Sequence, residues 1–309
     1  MTLTASSVPD VTAALVSASA RDEKISALDL RAMREVLEYT PEDMTVSVEA
    51  GVTLAQLQAR LAEHNQWLPI DPPSAGTLTI GALLAANKSG PRRFGHGTIR
   101  EHLLGIKVVL ADGRAIKAGG KVVKNVAGYD LCKLFVGSHG TLGVIVEATF
   151  KVLPRPESEL FLKRTSAQLD ELAPLLRQVN ESPLTPVVFD LHGSQAGHNL
   201  VLGFAGPRED VEWQREQARE LGFTERAALD YDDAFRRTSE PFHAASVLPS
   251  KVIETIKSLD AQSYVARTGN GLLYFRGGRP HPRPELPLKL MRHIKETYDR
   301  KGILPELPW

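Results

Sequence analysis

The sequence predicts an α+β protein built in two parts, and three observations carry that reading. First, 309 residues with 42% apolar and 24% charged content suffice for two cores of ordinary globular character. Second, the stretch from Asp71 to Val152 holds thirteen of the 24 glycines (76, 81, 90, 95, 97, 105, 113, 119, 120, 128, 137, 140 and 143), and it closes on a strongly β segment before Pro154-Arg155-Pro156. Third, helical and short extended patterns alternate beyond those prolines, with hairpin-like pairs that imply an antiparallel sheet carrying helices. The boundary is placed at the proline pair, giving parts 1–153 and 154–309.

In chain order, Val8 to Arg21 reads as a helix with Asp10 as its N-cap and Val11, Ala14, Leu15 and Ala18 on one face. Leu28, Leu30, Met33, Val36 and Leu37 fit a turn of helix, or a strand followed by one. Met44 to Glu49 alternates as a strand does, and Gly51 ends it. Thr53 caps a helix whose Leu54, Leu57 and Leu61 recur at helical spacing. Trp67 to Ile70 is a short buried segment. Thr79 to Asn87 is helical. Ile106 to Leu110 pairs with Arg114 to Lys117 across Asp112-Gly113, a dipeptide suited to a tight hairpin turn. Tyr129 to Val136 is a helix ending at Gly137, and Gly143 to Leu153 is a strand.

In the second part, strands are expected at Glu159 to Lys163, Pro186 to His192, Leu200 to Phe204 and Leu272 to Arg276. Helices are expected at Ala167 to Val179, Pro207 to Leu221 with Pro207 in the first turn, Asp230 to Arg237, Ser250 to Leu259 and Leu286 to Lys301.

Composition narrows the function. Lys+Arg equals Asp+Glu at 37 each, which leaves no basic footprint for nucleic acid. A local basic spot at Arg92, Arg93, His96 and Arg100 suits a phosphate or a loop. The single cysteine, Cys132, excludes an internal disulfide, a cysteine-ligated iron–sulfur cluster and a cysteine-based zinc site within this chain. Such a chain fits the cytoplasm. No basic-then-apolar leader opens the sequence, and no apolar run approaches the roughly 20 residues of a membrane-spanning helix.

The glycine crowding, interleaved with Ser, Thr and Asn, points to an anionic ligand approached by the backbone, because glycine lets main-chain N–H groups come close and reach positive φ. Familiar nucleotide motifs are absent. Gly137, Gly140 and Gly143 precede a strand instead of a helix, which is the wrong order for a dinucleotide fingerprint. Lys121 after Gly119-Gly120 lacks the Ser/Thr of a phosphate-binding P-loop, and no nucleophile elbow occurs. His96 and His102 lack a third ligand, so no metal site is assigned. Cys132 and Tyr129 read as packing residues.

Three strings carry a family resemblance: SAGTLTIGALLAANKSGPRRFGHGTIREHLLG, VVLADG and GGKVVKNVAGYDLCKLFVGSHGTLGVIVEATFKVLPRP. They resemble the two-lobed FAD-binding domain of the vanillyl-alcohol-oxidase (PCMH-type) flavoproteins, and most of all the FAD-binding subunits of glycolate-oxidase-type enzymes. The resemblance is dense from about Leu37 to Pro156 and thinner beyond. It implies an FAD-binding subunit of a 2-hydroxy-acid oxidase complex, partnered by a larger flavin subunit and an iron–sulfur subunit, and drawn to a membrane only through those partners. It places the cofactor contacts at Pro72, Thr79, Ile80, Gly81, Asn87, Ser89, Gly90, Gly97, Thr98, Gly140, Gly143, Val144 and Ile145. The second part is then a cap over the substrate or a subunit interface.

The chain also departs from that family. The glycine-rich pyrophosphate loop expected in the first lobe is missing: Lys24-Ile25 runs into Ser26-Ala27-Leu28, and no glycine precedes Gly51. The first lobe is therefore expected to be shortened, and FAD affinity reduced by the loss of charge-assisted bonds worth about 1.5–3 kcal/mol each. Ala82 replaces a common second glycine and His96 a common tyrosine. The C-terminal part lacks a metal-and-substrate histidine motif, and the chain ends in Pro-Glu-Leu-Pro-Trp. Arg267, Arg276 and His243 are read as surface charges, and no catalytic base is assigned. The alternative function is a subunit without flavin that keeps the fold for assembly.

Overall fold

The computed structural model describes residues 1–120, 130–282 and 285–306. The first elements are β1 (Thr2–Thr4), α1 (Val8–Arg21), β2 (Ala27–Asp29), β3 (Val36–Thr40), β4 (Thr45–Glu49), α2 (Leu54–Ala62) and β5 (Gln66–Trp67). They are followed by α3 (Ile80–Ala85), α4 (Arg93–His96), α5 (Ile99–His102), β6 (Leu103–Val109), β7 (Ala115–Gly119), α6 (Leu131–Phe135), β8 (Val144–Lys151) and β9 (Leu153–Pro154).

Strands β3, β4, β8, β6 and β7 form, in that order, one antiparallel sheet. Its two faces follow from the period of two in side-chain direction. Val108 and Ile145 enter the core shared with α2 and α3, whereas Val109, Val144 and Val146 enter the core under α1. β1 and β2 pair in parallel, with α1 as the crossover between them. The hairpin of β6 and β7 turns at Asp112-Gly113, where Gly113 has φ +85°. α2 carries the expected cap: Gln56 N–H donates to the Thr53 hydroxyl, and Thr53 N–H donates to the Gln56 side chain.

The remaining elements are β10 (Ser158–Ser166), α7 (Leu172–Glu181), β11 (Val188–Ser194), β12 (Gly197–Gly206), α8 (Arg208–Glu220), β13 (Glu225–Arg226) and α9 (Tyr231–Arg237). Then come β14 (His243–Ser246), α10 (Val252–Leu259), β15 (Ser263–Arg267), β16 (Leu272–Arg276) and α11 (Leu288–Tyr298). The second sheet is antiparallel throughout, in the order β13-β10-β12-β11-β15-β16-β14. On β11, Phe189 and Leu191 join the core with α7, α8 and α10, while Val188 faces α9. α11 returns to the first core through Ile294 and Tyr298, and Ile303 and Leu304 complete the core under α1. Among the described residues, no helix is long and apolar enough to cross a membrane.

Several expectations are corrected. The N-cap of α1 is Ser7, whose hydroxyl accepts the Asp10 N–H at 3.3 Å, while the Asp10 carboxylate turns back to the Ser6 amide and hydroxyl. No helix follows β2; Val36–Thr40 is a strand paired antiparallel with β4, Val36 opposite Val48 and Thr40 opposite Thr45, with a register shift between Val36 and Glu38. Pro207 stands at the N-cap of α8, one residue before its first turn. Arg267 and Arg276 are buried, at 2% and 5% exposure, and only His243 of that trio is exposed. Cys132, in contrast, is buried in the core as expected of a packing residue, with its thiol 3.4 Å from the Ala118 carbonyl. Tyr129 lies outside the described residues.

Candidate functional site

A cleft of about 320 Å³ opens beside the first sheet, lined by Ser26, Ala27, Leu28, Leu30, Ala50, Thr79, Gly81, Ala82, Ala85, His139, Gly140, Gly143, Val144, Ile145 and Pro305. That volume lies at the lower end of the range for small-molecule sites. Of the thirteen residues expected from sequence, Thr79, Gly81, Gly140, Gly143, Val144 and Ile145 come together here. Ile80 points into the core at 0% exposure. The others lie along the 71–98 segment. Pro72 is buried, Ser89 accepts from Arg93 Nη1 at 3.3 Å, and Thr98 closes a capping box with Glu101.

The glycines divide by what they approach. A Cβ at Gly90 would stand 1.8 Å from the Asp71 carbonyl oxygen, one at Gly143 would stand 2.6 Å from Val108 Cγ1, and one at Gly81 would stand 3.0 Å from Ala50 Cβ. These three are small because protein packs against them. Gly97 and Gly140 instead have positive φ, +80° and +76°, and a Cβ on Gly140 would meet only Leu28 Cδ1 at 3.5 Å across the cleft.

Main-chain donors are also partly committed. Ile80 N–H donates to the Val52 carbonyl and Gly81 N–H to the Ala50 carbonyl, each at 2.8 Å, and Ala82 N–H goes to the Thr79 hydroxyl. The start of α3 therefore offers a wall of small side chains and the Thr79 O–H in place of three free amides. Next to Gly140 the balance is reversed. Asn87 Oδ1 and Ser138 Oγ are buried without a hydrogen-bond partner, on segments joined by the Gly137 and His139 amides donating to Leu84 and Ala85. Buried polar atoms of this kind are ordinarily satisfied, and these two sit behind the cleft lining. The lining residues fit an extended, partly polar cofactor, which Thr79 and Gly140 would hold.

Sequence reading missed the opposite walls. Ser26 to Leu28 arrive through the β1–α1–β2 crossover, and Pro305 arrives from the far end of the chain. Ala82 and Ala85, at helical spacing with Gly81, carried a signal of smallness; Pro305 carried none.

The 71–98 segment is the hinge of charge between the two sheets. Arg92 reaches Asp71 Oδ2 at 3.1 Å and Glu159 Oε1 at 2.9 Å, and lies over the rings of Trp67 and Phe161. Burial pushes Asp71 up to about 6, against the lowering pull of Arg92. Burial and Arg92 together lower His96, whose ring meets Trp67 edge-on and whose carbonyl accepts from the His102 ring at 2.9 Å. In the second sheet Arg267, Asp190, Asp232 and the Tyr231 hydroxyl form a buried ionic cluster.

Residues 12–119 match the family described as FAD binding domain (FAD_binding_4). The matched residues supply nine of the fifteen that line the cleft. Among individual relatives, the chain is 41% identical over 138 residues to glycolate oxidase subunit GlcE of Escherichia coli (strain K12), a match covering 44% of this chain and 39% of that one. It is 35% identical to glycolate oxidase subunit GlcD of Bacillus subtilis (strain 168), covering 51% and 34%. It is 32% identical to a D-lactate dehydrogenase of Anaerostipes hadrus, covering 66% and 47%. The chain thus spans between about a third and a half of the lengths of these relatives. A solved alkyldihydroxyacetonephosphate synthase structure superposes with a TM-score of 0.71 at 18% identity, over 98% of this chain and 75% of the other, so the fold is shared.

Proposed function

We propose that this chain is the FAD-binding subunit of a 2-hydroxy-acid oxidase or dehydrogenase complex of the glycolate type. The observation that carries the reading is the overlap of the cleft with the matched region 12–119: Ser26, Ala27, Leu28, Leu30, Ala50, Thr79, Gly81, Ala82 and Ala85 line it from within that region, and Gly140, Gly143, Val144 and Ile145 close it from beyond. Bound flavin would supply the hydride acceptor for a hydroxy acid. The chain's own residues exclude water with Ile145, Val144 and Leu28, leave room at Gly140 and Ala82, and offer the Thr79 hydroxyl to polar atoms of the cofactor. In this reading residues 1–153 form the cofactor part and 154–309 the cap. The partners are a larger flavin subunit and an iron–sulfur subunit, since one cysteine cannot ligate a cluster. The complex works in the cytoplasm, at a membrane only through those partners.

One observation favours a second reading, in which the chain keeps the fold for assembly without flavin. No glycine precedes Gly51, and only Ile25 and Ser26 separate Lys24 from β2. Purifying the assembly through an affinity tag on this chain separates the two. The proposed function expects co-purifying subunits, iron, flavin assignable to this chain, and dye reduction that depends on a 2-hydroxy acid. Recovery of an intact assembly with no flavin on this chain replaces it with the second reading.

A further inference from the structure

We infer that Lys295, with Asp299 one helical turn later, is a positioning residue for the cofactor cleft, seating the C-terminal segment as one of its walls. The inference rests on the flavin reading above and adds to it a device at the opposite end of the chain.

The ammonium of Lys295 is buried where α11 ends. It donates to the Asp299 carboxylate at 2.5 Å, to the Thr141 carbonyl at 2.8 Å and to the Pro305 carbonyl at 3.1 Å, with the Leu304 carbonyl at 3.4 Å. An ammonium has three donors, and the three nearer acceptors engage them. The Asp299 side chain is wholly buried. Its Oδ1 accepts the Ile303 amide at 3.0 Å and its Oδ2 the Leu304 amide at 2.9 Å.

A buried ion pair is a poor way to gain stability, because desolvation cancels much of the attraction; its yield here is geometry. The pair fixes two cleft walls against each other. Thr141 belongs to the loop that presents Gly140 and Gly143, and Pro305 faces them from the tail. The third wall is tied to the same point, since the Ile303 carbonyl accepts the Ile25 amide at 2.7 Å, one residue before Ser26 to Leu28. Cleft width is therefore set by a clasp that makes none of the cleft's surface.

The test is FAD titration of the full-length chain, the Lys295→Met variant, and a variant ending after Leu304, followed by flavin fluorescence and by visible circular dichroism of the bound flavin. Melting of each protein without flavin is measured in parallel. The clasp predicts at least a tenfold weaker FAD affinity for Lys295→Met. It predicts at least fivefold weaker affinity for the truncation, with an altered dichroism signal, because the truncation removes the Pro305 wall and its carbonyl from Lys295 while keeping Asp299 and both amide bonds. If Lys295→Met does not fold, the truncation decides. Wild-type affinity in the truncation overturns the inference alone. A wild-type chain that takes up no FAD overturns the flavin reading, and the inference with it.

Discussion

Arg267 is sealed between β15 and α9 with its guanidinium against the Asp190 carboxylate, the two side chains exposed by only 2% and 1%. Its second nitrogen lies 2.6 Å from Asp232 Oδ2, and the Tyr231 hydroxyl donates to Asp190 at 2.6 Å. Arg267 thus bridges one carboxylate on β11 and one on α9, and Asp232 also faces Arg236 Nε at 3.7 Å. Among the described residues, removing Arg267 leaves the Asp190 carboxylate with only the Tyr231 hydroxyl as partner and Asp232 with only Arg236, in a medium that solvates them poorly.

Arg267→Met is therefore expected to destabilise the protein by about 3–5 kcal/mol, the scale for breaking a buried ion pair from one side. Urea denaturation checks this. A loss below about 1 kcal/mol contradicts the assignment of Arg267 as the cluster's compensating charge.

A pH effect follows from His192, which stacks on Tyr231 with ring centroids 4.3 Å apart. Burial, aided by Lys163, holds its imidazolium pKa down to about 4, against 6.5 in an unfolded chain. Between those values the unfolded chain binds a proton that the folded one refuses, so stability falls as pH drops from 6.5 toward 4. His192→Phe keeps a ring on Tyr231 and removes the titration. Its stability is expected to fall less than that of the wild type between pH 7 and pH 4.5. Asp71, raised by burial to about 6, acts in the opposite direction in both proteins, so their difference isolates His192.

Two tryptophan substitutions separate the cleft from the core. Gly143 lines the cleft, but its missing Cβ points at Val108 Cγ1, so Gly143→Trp is expected to lower stability by more than the roughly 1–3 kcal/mol typical of overpacking. Ala82 is exposed on the cleft wall. Ala82→Trp is expected to change stability by no more than about 0.5 kcal/mol while weakening FAD binding at least tenfold. Equal FAD affinity in Ala82→Trp and wild type shows that the ligand sits elsewhere.

The local signals in the sequence were dependable where one period or one cap decides the outcome. α1, α2 with its Thr53 cap, the Asp112-Gly113 hairpin and β8 were all legible. The 28–37 stretch was not, because apolar residues at 28, 30, 33, 36 and 37 suit both helix and strand, and pairing with β1 and β4 decides between them. Arg267 looked like a surface charge because Asp190 lies 77 residues away and Asp232 on another helix. Glycine crowding marked close approach correctly without saying to what. At Gly90 and Gly143 the neighbour is protein, and at Gly140 it is the cleft. The wall at Pro305 depends on contacts between the two ends of the chain, which no local pattern encodes.

The central claim is that main-chain and small side-chain surfaces of the first sheet hold FAD. Equilibrium titration of the purified chain with FAD, read by flavin fluorescence alongside the Ala82→Trp variant, tests it most directly. The account predicts saturable one-to-one binding by the wild type and at least a tenfold weaker constant for the variant. No saturable binding by the folded wild-type chain, or identical constants for the two, contradicts it.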